Sequence, residues 1–209
     1  MDKIVLVGGG GHAKVIISII KKIKKYEIYG YVDKIHNGNI LGVPYIGDDD
    51  VLKELIAQQK VTKAVLCVGQ ISDQFKRYRL YKQLVEMGFA FPTIVSPNAS
   101  INEAVEIGEG TVVMDGVVIN SGAKIGRFAI LNTQASIDHD CEIGDFVHIA
   151  PGVVLSGGVK VGNYCLIGAG ATVIQYKRIG NNCVIGAGAV VLKDCLEPGT
   201  YLGIPARKR

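Results

Sequence analysis

From Ile101 onward, every sixth residue is aliphatic. The series runs Ile101, Ile107, Val113, Ile119, Ile125, Leu131, Ile137, Ile143, Ile149, Leu155, Val161, Ile167, Val173, Ile179, Ile185 and Val191, sixteen positions without a break. Four places after each stands a small residue, Val, Thr, Ala or Cys, with Lys177 the one exception between Val105 and Cys195. Chance does not produce such a run. A period of six with one aliphatic and one small position specifies a parallel β-helix, in which each hexad supplies a short strand and a corner. Three hexads, 18 residues, close one triangular coil, so residues 18 apart are stacked neighbours. Coils then lie ~4.8 Å apart, the ordinary strand spacing. Ile-Gly recurs at 107, 125, 143, 167, 179 and 185. Glycine there is expected to serve tight corners that need positive φ. Lys177 falls on an inward position, and a buried unpaired ammonium is too costly. The coil is therefore expected to bulge at that point.

The phase of the repeat also explains the cysteines. Cys141, Cys165, Cys183 and Cys195 all occupy the small inward position, where Cys acts as a small hydrophobe. They are poorly placed as nucleophiles. Five cysteines with no CxxC pair form neither a disulfide framework nor a zinc framework. No apolar run approaches the roughly 18–20 residues of a membrane span, and glycines interrupt the apolar start too early for a secretory signal. The expected setting is the cytoplasm. A net charge of +4 and the absence of Trp give no case for nucleic-acid binding, and no membrane partner is expected.

Residues 1–95 lack the hexad. "KIVLV" reads as a buried strand, followed by a glycine turn and a helix with apolar positions at Val15, Ile16, Ile19, Ile20 and Ile23. "EIYGYVD" and "KAVLCVG" are further strands, "DDDVLKELIAQQ" is a helix, and "SDQFKRYRLYKQLVEMG" is a helix ended by Gly88. Strands alternating with helices imply a small parallel sheet. The fold class is an α/β domain over 1–95, with a boundary near "SPNAS", followed by a β-helix over 96–209. Between the first strand and helix lies "GGGGH", Gly8 to His12, and Asp33 closes the next strand. Glycine there lets backbone N–H groups approach a phosphate at a helix N-terminus, or serves only close packing. Asp33 matches the ribose-binding acid of a dinucleotide fold, or is a strand-end turn residue. The domain is too small for a second nucleotide half, so a mononucleotide fits better.

"SIDHDCEIGDFVHIAPG", residues 136–152, holds two of the four histidines. His139 is the third residue of its hexad and Asp140 the fourth, close to a corner where both can turn outward. An adjacent carboxylate raises an imidazole's pKa and suits it to act as a base near neutral pH. An ordinary corner residue is the plain alternative. His148 lies nine residues on, half a coil, and so on the far side of the prism. The two can share a site only across a subunit interface. Gly157 stands 18 residues after His139, at the same corner one coil along. Lys124, Glu142, Lys160 and Arg178 form a charged column, either a solvated face or a contact for anionic groups.

"GGGGH", "LNT", "IDHD", "FVHIAPG", "SGGVKVG" and the closing "GIPAR" together resemble the bacterial nucleotide-sugar acetyltransferases that act on bacillosamine, perosamine and viosamine precursors, with the related sialic acid O-acetyltransferases. The resemblance spans almost the whole chain. It implies a left-handed β-helix, a homotrimer, acetyl-CoA as co-substrate and a place in cell-surface polysaccharide biosynthesis. It implies His139 as general base assisted by Asp140, and the Gly157 N–H as oxyanion donor and thioester contact. It further implies His148, Ala169 and Ala187 along the CoA arm, and Gly10, Gly11, His12, Asp33, Lys34, Gly69 and Asn132 on the nucleotide sugar. The function implied is N-acetylation of a nucleotide-linked 4-amino-4,6-dideoxy sugar by direct transfer. O-acetylation of a free sugar such as sialic acid, or a non-catalytic nucleotide-binding scaffold, are the alternatives. No metal is implied, since the β-helical carbonic anhydrases need three histidine ligands and only two lie in this repeat.

Overall fold

A computed structural model of the protein describes residues 1–69 and 75–209. Two compact units emerge. One comprises residues 1–69 with 75–97, and the other residues 98–209.

The first unit runs β1 (Asp2–Val7), α1 (Gly11–Ile23), β2 (Tyr26–Val32), β3 (Tyr45–Gly47), α2 (Asp50–Ala57), β4 (Lys63–Leu66) and α3 (Lys76–Met87). The sheet order is β3-β2-β1-β4, all parallel. β1 is central, and its Ile4, Val5, Leu6 and Val7 are buried, the unbroken apolar run of a strand covered on both faces. α1 buries Ala13, Ile16, Ile17, Ile19 and Ile20. Val15 is 40% exposed, so the apolar stripe is rotated toward Ile17 from the expected positions. Gly88 ends α3 in the left-handed conformation, φ 97°, as its place in the sequence suggests. The expected start of that helix, residues 72–74, lies outside the described residues. β3 has no counterpart in the sequence reading, because three residues carry too short a pattern to detect. Arg77 on α3 is fully buried. Its Nη1 donates to the carbonyls of Leu66 at 3.3 Å and Val68 at 2.7 Å, tying down the exit of β4.

The second unit is the left-handed parallel β-helix. Its strands are mostly two residues long, and from Ile101 to Val191 each ends on the aliphatic residue of its hexad. Three sheets form the prism, each in an 18-residue register. Their outward residues differ sharply. One face carries Glu106, Lys124, Glu142, Lys160 and Arg178. The second carries Val112, Ile130, His148 and Leu166. The third carries Ser100, Val118, Ser136, Val154, Thr172 and Val190, with no charge at all. Inside, every hexad aliphatic from Val113 to Val191 is buried.

Two expectations about the coil need correction. The glycines after the aliphatic residue do not have positive φ. They permit coils to stack: a Cβ at Gly126 would lie 2.6 Å from the Gly144 carbonyl carbon, and one at Gly144 would lie 2.8 Å from that of Gly162. The left-handed residue instead falls three places after the aliphatic one, at fifteen corners from Ala104 to Gly188, of which eight are not glycine. The bulge at Lys177 is also absent. Lys160 N–H donates to the Lys177 carbonyl at 2.9 Å, and Lys160 pairs with Arg178 in register. Lys177 escapes burial because the next pass of chain is displaced by two residues, setting Cys195 beside Ile179 instead of over Lys177. Its side chain is therefore half-buried at the last regular rung.

Candidate active site

His139 and Asp140 meet at the corner between the uncharged and charged faces. His139 Nδ1 lies 2.9 Å from Asp140 Oδ2. A carboxylate only accepts hydrogen bonds, so Nδ1 carries the proton and Nε2 keeps its lone pair outward, the state a base requires. The imidazole pKa is raised, chiefly by the Asp140 hydrogen bond; burial opposes this, and the charges of Asp138 and Asp140 add smaller raising contributions. Half of the His139 side chain is exposed, so it can reach a solvent-borne substrate. The backbone fixes this geometry. Asp140 has φ 57°, its N–H donates to the Ser121 carbonyl at 3.1 Å, and the Gly158 N–H donates to the His139 carbonyl at 2.8 Å.

Glycines above and below make room for the dyad. A Cβ at Gly157 would collide with His139 Nε2, and one at Gly122 would lie 2.7 Å from Asp140 Oδ1. Gly157 thus brings its backbone close to the Nε2 end of the imidazole. Cys141 lies beneath the same corner. Burial pushes its thiol up to about 11, which removes it as a nucleophile near neutral pH.

Asn132 and His148 form a second group at a different corner. Asn132 Nδ2 lies 3.3 Å from His148 Nε2, and His148 is only 9% exposed. Ala169 and Ala187 are exposed and lie in one stacked column of that same corner. The uncharged face separates this corner from the one holding His139, Asp140 and Gly157. Within one chain the two groups do not meet.

In the first unit the glycine turn follows β1, at the end of the sheet where the strand order reverses between β1 and β4, the usual ligand position in open parallel sheets. Its four glycines divide by role. Gly8 has φ 112° and a Cβ there would press on Val68 and Cys67, while one at Gly9 would collide with the Tyr31 ring. Gly10 and Gly11 have nothing within 4 Å, so packing does not require glycine there. They line an open cavity of about 350 Å3 with Lys14 and Asn37. Asp33 Oδ2 accepts from the Gly9 N–H at 2.6 Å and Oδ1 accepts from the Ile35 N–H at 3.2 Å. The carboxylate thus holds the turn. Asp33 also lines a cavity of about 170 Å3 with Lys34, Gly8, Val68 and Lys76. His12 is half-buried in the first turn of α1, and Gly69 lines neither cavity. Asn37, whose Nδ2 donates to the Gly9 carbonyl at 3.2 Å, was not singled out in the sequence, since nothing local marks a contact 28 residues away. A groove of about 820 Å3 runs along the charged face and contains none of these residues. Among the described residues no cluster of His, Cys, Asp and Glu could hold a metal ion.

Residues 3–84 match the PglD N-terminal domain, and residues 122–157 and 140–175 match the bacterial transferase hexapeptide repeat. The solved structure of PerB from Caulobacter crescentus, in complex with CoA and GDP-perosamine, is 36% identical at a TM-score of 0.93, covering 100% of this chain and 98% of that one. The chain belongs to the PglD family of hexapeptide-repeat sugar N-acetyltransferases. Within this family, the acetyltransferase domain of PglB from Neisseria gonorrhoeae, in complex with acetyl coenzyme A, is 33% identical at a TM-score of 0.92, covering 99% and 98% of the two chains. WeeI from Acinetobacter baumannii is 25% identical at 0.88, covering 100% of both. No curated protein sequence matches the chain closely.

Proposed function

We propose that the protein transfers an acetyl group from acetyl-CoA directly to the amine of a nucleotide-linked 4-amino-4,6-dideoxy sugar. The observation that carries this reading is the His139–Asp140 dyad with Gly157 facing it. The relatives in complex with CoA and a nucleotide amino sugar supply the substrate class. His139 Nε2 removes the proton as the amine attacks the thioester, Asp140 stabilises the imidazolium, and the Gly157 N–H stabilises the oxyanion; the C–S bond then breaks and the departing CoA thiolate takes the proton from His139, leaving the amide and free thiol. The open glycines Gly10 and Gly11 and the Asp33–Lys34 cavity hold the nucleotide, so residues 1–95 serve the acceptor and the β-helix serves the donor. Five free cysteines suit a reducing compartment, and the reaction is placed in the cytoplasm.

We further infer a homotrimer with each site shared by two chains. The uncharged face with Val118 and Val154, 36% and 42% exposed, is the one suited to meet its copies, and it lies between the two groups of site residues. Three such faces turned toward one axis bring the His139 corner of one chain beside the Asn132–His148 corner of the next, a closed symmetry. Incubation with acetyl-CoA and a panel of nucleotide-linked 4-amino sugars, with release of free thiol as readout, tests the activity. Thiol release confined to an amino-sugar nucleotide is the expected result. Release only with a free sugar such as sialic acid would reassign the acceptor, and no release with any acceptor would remove the enzymatic reading.

A further inference from the structure

Asp138 stands beside the dyad and neither of the roles above uses it. Its Oδ1 accepts from Asn120 Nδ2 at 2.8 Å and from the His139 N–H at 2.8 Å. Asn120 Oδ1 in turn accepts from Asn102 Nδ2 at 2.8 Å. These residues are spaced by 18, so they form one column running up to the dyad's corner. A carboxylate can only accept, which fixes the direction of every amide in the column: each NH2 points toward Asp138 and each carbonyl oxygen away from it. The carboxyl is held below the usual carboxylate range, first by the Asn120 amide and then by the His139 N–H, with a smaller contribution from the Gly157 N–H. Asp138 is half-buried, whereas the Asp140 side chain is 72% exposed. An exposed pair is a weak determinant of geometry because water competes for both partners. The titratable groups facing His139 are Asp138 and Asp140. The coil above presents Gly157 and Gly158 and the coil below Ser121 and Gly122, none of them titratable.

We propose that Asp138 is a positioning residue for the transfer, holding a fixed negative charge and the backbone of the corner beside His139 through the amide relay from Asn102 and Asn120. The proposal rests on His139 as the base. Asp140 sets the tautomer through Nδ1. Asp138 anchors the main chain from which the imidazole projects, and its charge favours the imidazolium formed when the amine gives up its proton.

The test is Asp138→Asn, which keeps an acceptor oxygen for the two donors on Oδ1, Asn120 and the His139 N–H, and removes the charge. With four histidines in the chain, the His139 ring can be followed individually by NMR titration. The expected result is a fall in the His139 pKa, the same displacement of the acid limb of kcat/KM, a loss of kcat on the order of tenfold, and KM unchanged for both substrates. Asn102→Ala, two coils from Asp138 and out of reach of any substrate at His139, should move the titration in the same direction by less. A folded Asp138→Asn protein with an unmoved His139 titration and acid limb overturns the proposal. An inert Asn102→Ala overturns the relay, and it decides the matter alone if Asp138→Asn does not fold. His139→Ala with near-full turnover would overturn the base assignment instead, while the titration arm still reports on Asp138.

Discussion

His139 projects from a corner with half its side chain in solvent, so it contributes little to the core. His139→Ala should therefore leave the melting temperature nearly unchanged and lower turnover by on the order of 10²–10⁴. The base must be neutral to act, and its pKa is raised. Activity should accordingly fall as pH drops through a value above that of an ordinary histidine. Asp140→Asn removes the main cause of that shift, so its acid limb should move to lower pH while the plateau falls. A pH profile of kcat/KM for each variant checks both statements. An Asp140→Asn limb that stays in place would mean that the 2.9 Å contact does not set the imidazole's basicity. Most of this chemistry was legible in advance, because 18-residue spacing places Gly157 on His139. Asp138 was not. Next to a histidine it looks like any polar corner residue, and its partners Asn102 and Asn120 are meaningful only once the coil's phase assigns them to one column.

The strands were legible because a buried aliphatic every six residues is a strong constraint: from Val113 onward not one is solvent-exposed. The corners were not, because what governs them is phase and not residue type. The left-handed conformation falls at the same place in each hexad, whether Gly, Phe, Gln, Asp, Tyr or Asn stands there. The glycines that matter most for stacking have ordinary φ. This separates two kinds of glycine by experiment. Gly152 has φ 67° and open space around it, so Gly152→Ala should cost about 1–2 kcal/mol, the usual penalty of the left-handed region. Gly144→Ala would drive a Cβ against the backbone of the next coil, 2.8 Å from the Gly162 carbonyl carbon. The coils would have to part there, and its loss should clearly exceed that of Gly152→Ala in denaturant unfolding. Equal losses would mean that the coils give way freely. The short β3 and the modest rotation of α1 toward Ile17 escaped the sequence for a related reason: neither carries enough residues or enough asymmetry to fix a phase.

The proposed trimer rests on how charge is distributed over three faces. Val154→Glu would place a carboxylate on the face without charge, and in a trimer three of them would converge. Sedimentation should then show monomers, with turnover lost and the isolated chain's circular dichroism unchanged. Glu142→Lys on the charged face should leave the trimer intact. A Val154→Glu protein that remains trimeric would move the interface to another face. If sites are shared, inactive His139→Ala chains mixed with chains disabled at His148 should regain partial turnover after reassociation. The fifteen corners hold a last consequence. Asp140 adopts a conformation that elsewhere would suggest strain stored for chemistry, yet fourteen other corners adopt it with no part in the reaction. The backbone under the dyad is thus an interchangeable socket. A His-Asp pair transplanted to another corner would find the same turn, but not glycines on both sides of it in the places that Gly122 and Gly157 hold here. Such a molecule carries many addresses and one occupant, and a new activity on this scaffold would need side chains relocated, with no new fold to invent.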